Sequence, residues 1–157
     1  MILGYKAIGG VMLLAVGVWI AVRTVRYERR RLTTLDAWIE LILYIRTQID
    51  CYLTPLGEIL SGAPHRLTDR LGSGISDLNS LLWHTRRDLD GRAYEQIEML
   101  LCELGTSYRA EQVKLCDYRL ALLRDLRTGL AAELPARQKR SVTLSLAAAV
   151  GLAILLW

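Results

Sequence analysis

Apolar positions crowd the two ends of this chain and charged positions fill its middle. No Asp or Glu precedes Glu28 or follows Glu133. Residues 2–22 carry one charge, Lys6, and residues 141–157 carry no ionisable side chain. Twenty-one helical residues rising 1.5 Å each reach about 30 Å, the thickness of a bilayer core. Residues 2–22 are therefore expected to form a transmembrane helix, with the stem of Lys6 snorkelling to the headgroups. Residues 141–157 are shorter and are expected to form a second, anchored by Trp157 and the basic residues before it.

Between these ends, residues 23–140 read as a cytosolic domain made of helices. Neither Gly nor Pro occurs from Val22 to Cys51, so the first apolar helix can continue as one long helix. Leu35, Ile39, Ile42 and Ile49 follow helical spacing, and Leu32, Leu41 and Leu43 widen the stripe. Thr54-Pro55 is a helix start, because Thr can cap free N–H groups and Pro has none to leave unpaired. Ser61-Gly62-Ala63-Pro64 ends that short helix. A further amphipathic stretch runs from about His65 to Leu82, weakened by Gly72-Ser73-Gly74, and Asp90-Gly91 marks the next turn. Arg92 to Leu104 reads as a helix closed by Gly105. Ser107 can cap the last cytosolic helix, from Tyr108 to about Glu133, with Val113, Cys116, Leu120 and Leu123 as its stripe and Leu115, Leu122 and Leu126 beside it. Pro135 is expected to kink or interrupt the entry to the second membrane helix. No stretch alternates with period two, so the class is all-α: a bundle of about five cytosolic helices with a transmembrane helix at each end.

Charge orients this arrangement. Arg23, Arg26, Arg29, Arg30 and Arg31 follow the first apolar segment, and Arg137, Lys139 and Arg140 precede the second. Positive charge after the apolar run is the reverse of a secretory signal peptide, so the first segment reads as an uncleaved anchor. By the positive-inside rule the middle lies in the cytosol and both ends lie on the far face. Ser141, Ser145, Ala149 and Ala153 recur every four residues, and Gly17 and Ala21 offer a similar small face for close helix approach in lipid.

Composition changes this picture in one respect. The 157-residue chain is 52% hydrophobic, with a mean hydropathy of +0.24 and a pI near 9.1. The basic pI does not indicate nucleic-acid binding, because residues 32–136 hold eleven basic against fifteen acidic side chains. A phosphate-binding protein needs its basic face on the folded part; here the excess lies at the lipid boundary, near anionic headgroups.

Candidate chemistry is sparse. Cys51, Cys102 and Cys116 form no close pair, and their compartment would be reducing. Cys102 and Cys116 stand beside Leu101 and Leu115 and are expected to pack in the core, without a neighbouring His to activate them. His65 and His84 lie in polar surroundings without further ligands at zinc spacing and read as surface residues. Arg86-Arg87-Asp88 and Arg124-Asp125-Leu126-Arg127 read as solvated helix faces. Gly72-Ser73-Gly74 lacks the Gly-Lys-Ser/Thr ending of a phosphate loop. No catalytic, cofactor-binding or metal-ligating residue is assigned, and neither an enzyme activity nor a small-molecule substrate is expected.

In order along the chain, several segments resemble the stage III sporulation protein AB family of endospore-forming bacteria. Tyr27-Glu28-Arg29-Arg30-Arg31-Leu32 resembles its Glu-Arg-Pro-x-x-Leu junction, with Arg30 where the family usually has Pro. Ile49-Asp50-Cys51-Tyr52-Leu53-Thr54-Pro55-Leu56 resembles its Ile-x-Tyr-x-x-Thr-Pro-Leu segment, with Cys51 in place of Tyr. Leu104-Gly105-Thr106-Ser107 followed by Gln112 resembles its Leu-Gly-x-Ser segment, and the apolar tail after a basic patch completes the order. The resemblance runs over nearly the whole chain and is loosest at about 62–95.

The family is similar to the F-type inner-membrane platform proteins of secretion and pilus machines. The resemblance implies a non-catalytic platform subunit of the channel complex between mother cell and forespore. It would be held in the mother-cell membrane, contacting membrane lipids, the companion stage III sporulation ATPase and other stage III subunits. The alternative reading is a two-span membrane regulator or sensor with a cytosolic helical interaction domain; an adjacent ATPase gene favours the first, a kinase or sigma-factor gene the second.

Overall fold

A computed structural model describes the backbone of residues 2–52, 56–59, 62–72 and 77–156; within these, the side chains at 2–11, 13–14, 56–57, 65, 68, 137–138, 141, 145–146, 149 and 152–156 lie outside the described set. Every described element is helical. Helix α1 spans Ile2–Thr47 and runs into a π-helical turn, Gln48–Tyr52. Short helices α2 (Leu56–Ile59), α3 (His65–Leu71) and α4 (Leu78–Thr85) follow, then a 3₁₀ turn (Arg86–Asp88), α5 (Gly91–Glu103) and α6 (Arg109–Leu156). The chain divides into two compact units, one of Met1–Arg29 with Ala131–Trp157 and one of Arg30–Leu130.

The Arg30–Leu130 unit is a helical bundle built on a single apolar core. From α1 it buries Leu35, Trp38, Leu41, Ile42 and Ile45, and from the π turn Ile49, which recur at the three- and four-residue spacing of one helix face. Leu81 and Leu82 of α4, Ala93, Ile97 and Leu100 of α5, and Cys116, Leu120 and Leu123 of α6 close around that face. Helix α4 packs on α3 and on α5. Ion pairs set the register of the two long helices. Arg127 of α6 holds Asp36 of α1 at 2.9 Å, and Arg46 of α1 holds Asp117 of α6 at 3.0 Å. Both steps are ten residues, in opposite directions, so α1 and α6 run antiparallel here.

Local signals explain the shorter elements. Asp77 caps α4, its carboxylate accepting from the Ser80 backbone N–H at 2.9 Å. Asp90 caps α5 by accepting from the Arg92 N–H. Gly105 follows α5 at φ 88°, the left-handed conformation that an ending helix assigns to glycine.

Several sequence expectations are corrected. The 65–82 stretch is two helices, because Gly72 takes φ 153° and ends α3. The Arg30–Leu130 unit thus draws on six α-helices where about five were expected. Pro135 sits inside α6 without ending it: its missing N–H removes a single ladder bond in a 48-residue helix. The cap position of α6 falls to Tyr108, whose carbonyl accepts from the N–H groups of Glu111 and Gln112, while the Gln112 side chain donates to the Ser107 carbonyl at 2.6 Å. Thr54-Pro55, Ser61 and Gly74 lie outside the described residues.

In the other unit, Ala21 is buried and Gly17 half-buried, whereas Met12, Val16, Val18, Trp19, Ile20 and Val22 are exposed. The matching small positions 141, 145, 149 and 153 of the second apolar segment lie outside the described side chains, as does Trp157. Among the described residues, no helix is long and apolar enough to cross a membrane.

Candidate partner-docking surface

The titratable groups of the Arg30–Leu130 unit are arranged for structure. Among the described residues no group of three or more His, Cys, Asp or Glu side chains could hold a metal ion. Cys116 is fully buried, and burial, reinforced by the adjacent Asp117 carboxylate, pushes its thiol up to about 11. A thiol so far from ionising is a poor nucleophile at neutral pH. Cys51 and Cys102 are both exposed. The expectation for Cys102 is thereby corrected. The buried face of α5 passes through Ala93, Ile97, Leu100 and on to Leu104, and Cys102 lies off it despite its apolar neighbour. His84 is exposed, and the His65 side chain lies outside the described set.

His84 borders a cleft of about 650 Å³, lined also by Arg30, Thr33, Asp69, Arg70 and Asp88. Its cations are already matched: Arg30 pairs with Asp88 at 3.3 Å and Arg70 with Glu40 at 3.7 Å. A cleft balanced in this way offers no excess charge to a phosphate or a carboxylate ligand. A shallower groove of about 550 Å³ lies along Leu43, Tyr44, Thr47, Pro64 and Leu67. Its edge is fixed by the Tyr44 hydroxyl, which donates to the Gly62 carbonyl at 2.8 Å.

The basic runs singled out in the sequence are tied into the fold and not simply solvated. Besides the Arg127–Asp36 pair, which raises the Arg127 pKa through hydrogen bonding and charge, Arg86 lies 5.6 Å from the Tyr94 ring centroid. Arg31 of the junction reaches Asp90 at 2.6 Å. Where α1 ends, Asp50 in the π turn receives Arg46 at 3.4 Å and Arg109 at 3.2 Å, and Arg109 also donates to the Asp50 backbone carbonyl. This clasp joins the π turn to the start of α6. Beside it, Tyr52 is 69% exposed and Tyr108 86%. Trp83 on α4 is likewise 72% exposed, and Tyr118 and Met99 present further apolar surface. Exposed Trp and Tyr beside Arg is the composition of protein-binding hot spots. The sequence did not single out these aromatics, since an isolated aromatic off the core stripe carries no periodic signal.

Compared with known families, residues 6–88 match the model of stage III sporulation protein AB. The chain belongs to the stage III sporulation protein AB family. No curated protein and no solved structure matches it significantly. The stage III sporulation protein AB match takes in the first apolar segment, the basic junction, the buried face of α1 and helices α2 to α4. It ends at the 3₁₀ turn, so the Leu104-Gly105-Thr106-Ser107 segment lies beyond it. Of the stretch of loosest resemblance, about 62–95, residues 62–88 lie within it.

Proposed function

We propose that this chain is a non-catalytic platform subunit of the sporulation channel complex. Its two apolar segments cross the mother-cell membrane, and its central helical domain docks the companion ATPase. The observation that carries this reading is the family match over residues 6–88, which joins most of the first apolar segment to a helical core. Function is thus argued from family and surface and not from site chemistry.

Further features support the two membrane helices. The described apolar side chains of 12–22 are exposed on nearly every side, as are Val142, Leu144 and Val150, and a helix apolar all round calls for lipid or a large core. The exposed Tyr52, Trp83 and Tyr108 are the anchors best suited to a protein partner.

Deletion of the gene tests the role: sporulation is expected to stop after engulfment begins, and normal spore yield would sink it. Pull-down of the purified ATPase by the full-length protein in detergent tests the partner. Retention by wild type and loss on Tyr52→Ala/Tyr108→Ala, with unchanged circular dichroism, is the expected pair of results.

A further inference from the structure

Arginines of this chain differ in what faces them. In the Arg30–Leu130 unit, Arg30, Arg31, Arg46, Arg70, Arg109, Arg119 and Arg127 each hold a carboxylate within 4 Å. In the other unit, Arg23 and Arg26 are exposed and neither forms an ion pair among the described residues. Arg23 is nonetheless positioned, its guanidinium carbon 5.2 Å from the ring centroid of Trp19, a stacking that holds a cation over an indole face. A groove of about 270 Å³ lies against Ile20, Arg23, Thr24 and Tyr27. The Thr24 hydroxyl donates back to the Ile20 carbonyl at 3.0 Å, and the guanidinium is the groove's cationic donor.

We propose that this groove seats the headgroup phosphate of an anionic phospholipid. Arg23 would bind its oxygens through paired N–H donors and Arg26 would add charge one turn on. The counter-charge that carboxylates supply to those seven arginines of the folded unit comes here from the membrane. The occupant is a lipid and not a soluble anion because the walls beside the cation are exposed and apolar: Val16, Trp19 and Ile20 offer acyl chains the surface that Arg23 caps. Anionic headgroups attract each such arginine by roughly a fivefold gain in binding. The inference rests on the two-span reading and names the lipid class at the cytosolic end of its first span.

The test uses full-length protein reconstituted in vesicles of equal phosphatidylglycerol and phosphatidylcholine, extracted in mild detergent, with the retained lipid counted by native mass spectrometry. Wild type is expected to retain phosphatidylglycerol over phosphatidylcholine by about fivefold or more. Arg23→Gln/Arg26→Gln is expected near parity, and Arg23→Lys, which keeps the charge, in between. Excess inorganic phosphate is expected to leave the wild-type ratio unchanged. Equal retention by wild type, an unchanged preference in the double variant, or displacement by inorganic phosphate would each overturn the proposal. Flotation with pure phosphatidylcholine vesicles after carbonate washing separates it from the two-span reading. The double variant is expected to float as wild type does, whereas wild type that fails to float defeats the spans, and the headgroup seat with them.

Discussion

The indole N–H of Trp38 donates to the hydroxyl of Thr85 at 3.0 Å, and both residues are buried, 0% and 4% exposed. Thr85 in turn donates to the Leu81 carbonyl at 3.0 Å, so the pair satisfies two buried polar groups at once. It ties α1 to the end of α4 in the middle of the apolar core. Removing the hydroxyl leaves the indole N–H unpaired where water does not reach, and such a loss costs about 1–3 kcal/mol. Thr85→Val is expected to lower stability by that amount in urea melts of the full-length protein in detergent. Thr85→Ser is expected to retain most of it, and Trp38→Ala to cost about 3–5 kcal/mol. Equal midpoints for Thr85→Val and wild type would mean that the bond contributes nothing.

The three cysteines are expected to separate into two classes. Cys51 and Cys102 are exposed and Cys116 is fully buried, with its thiol raised to about 11 chiefly by burial. The folded protein is expected to give two reactive thiols to a disulfide reagent at pH 8 and a third only on unfolding. Because the folded pKa of Cys116 lies above its unfolded value, burying the neutral thiol stabilises the fold fully below the unfolded pKa. That contribution is lost as pH rises through about 11. Three fast thiols in the native protein would contradict the packing.

Helix α4 supplies an acid-side counterpart. The Asp77 carboxylate lies below its ordinary value because the Ser80 backbone N–H, and then its hydroxyl, bond the charged form. A carboxylate whose folded pKa is depressed adds stability above its unfolded pKa, and loses it as pH falls through the folded one. Asp77→Asn keeps a capping oxygen without the titration. It is expected to match wild type near neutrality and to show a shallower loss of stability below about pH 4. Identical acid limbs for the two proteins would rule the cap out as a titrating element.

Most of the helical layout was legible in the residues, and the reasons are local. Leu35 and Ile42 on α1, Ile49 in the π turn, and Cys116, Leu120 and Leu123 on α6 were readable because a core stripe must recur at helical spacing. Gly105 was readable because a helix end calls for φ above zero. Trp38 was passed over, since stripe-counting follows aliphatic residues, although it is the largest fully buried side chain of the core. The exposure of Cys102 was not legible for a different reason: Leu101 beside it says nothing about which face of α5 turns inward. The break at Gly72 was visible only as a weakening. The pairs that register α1 against α6, Asp36–Arg127 and Arg46–Asp117, join residues 91 and 71 positions apart. No spacing rule reaches that far. The exposed Tyr52, Trp83 and Tyr108 follow no periodicity either, so the surface offered to a partner became visible only once the core was known.

Those clamps carry a prediction of their own. Arg46 takes Asp117 through two nitrogens, at 3.0 and 3.2 Å, and Asp50 at 3.4 Å, and its pKa is raised mainly by the Asp117 bond. Arg46→Gln and Asp117→Asn are each expected to lower the melting temperature, and the double variant to fall by less than the two losses together. Simple additivity would mean that the two side chains do not act on each other in solution. Arg46→Asp/Asp117→Arg, which reverses the pair, is expected to recover part of the loss.

The proposed role is that of a membrane-anchored, non-catalytic subunit that holds its companion ATPase at the mother-cell membrane. It is tested most directly by fractionating sporulating cells and following that ATPase between membrane and soluble fractions. With wild-type protein the ATPase is expected in the membrane fraction, and with Tyr52→Ala/Tyr108→Ala protein, itself still membrane-bound, in the soluble one. An ATPase that stays with the membrane after the whole gene is deleted would contradict the account.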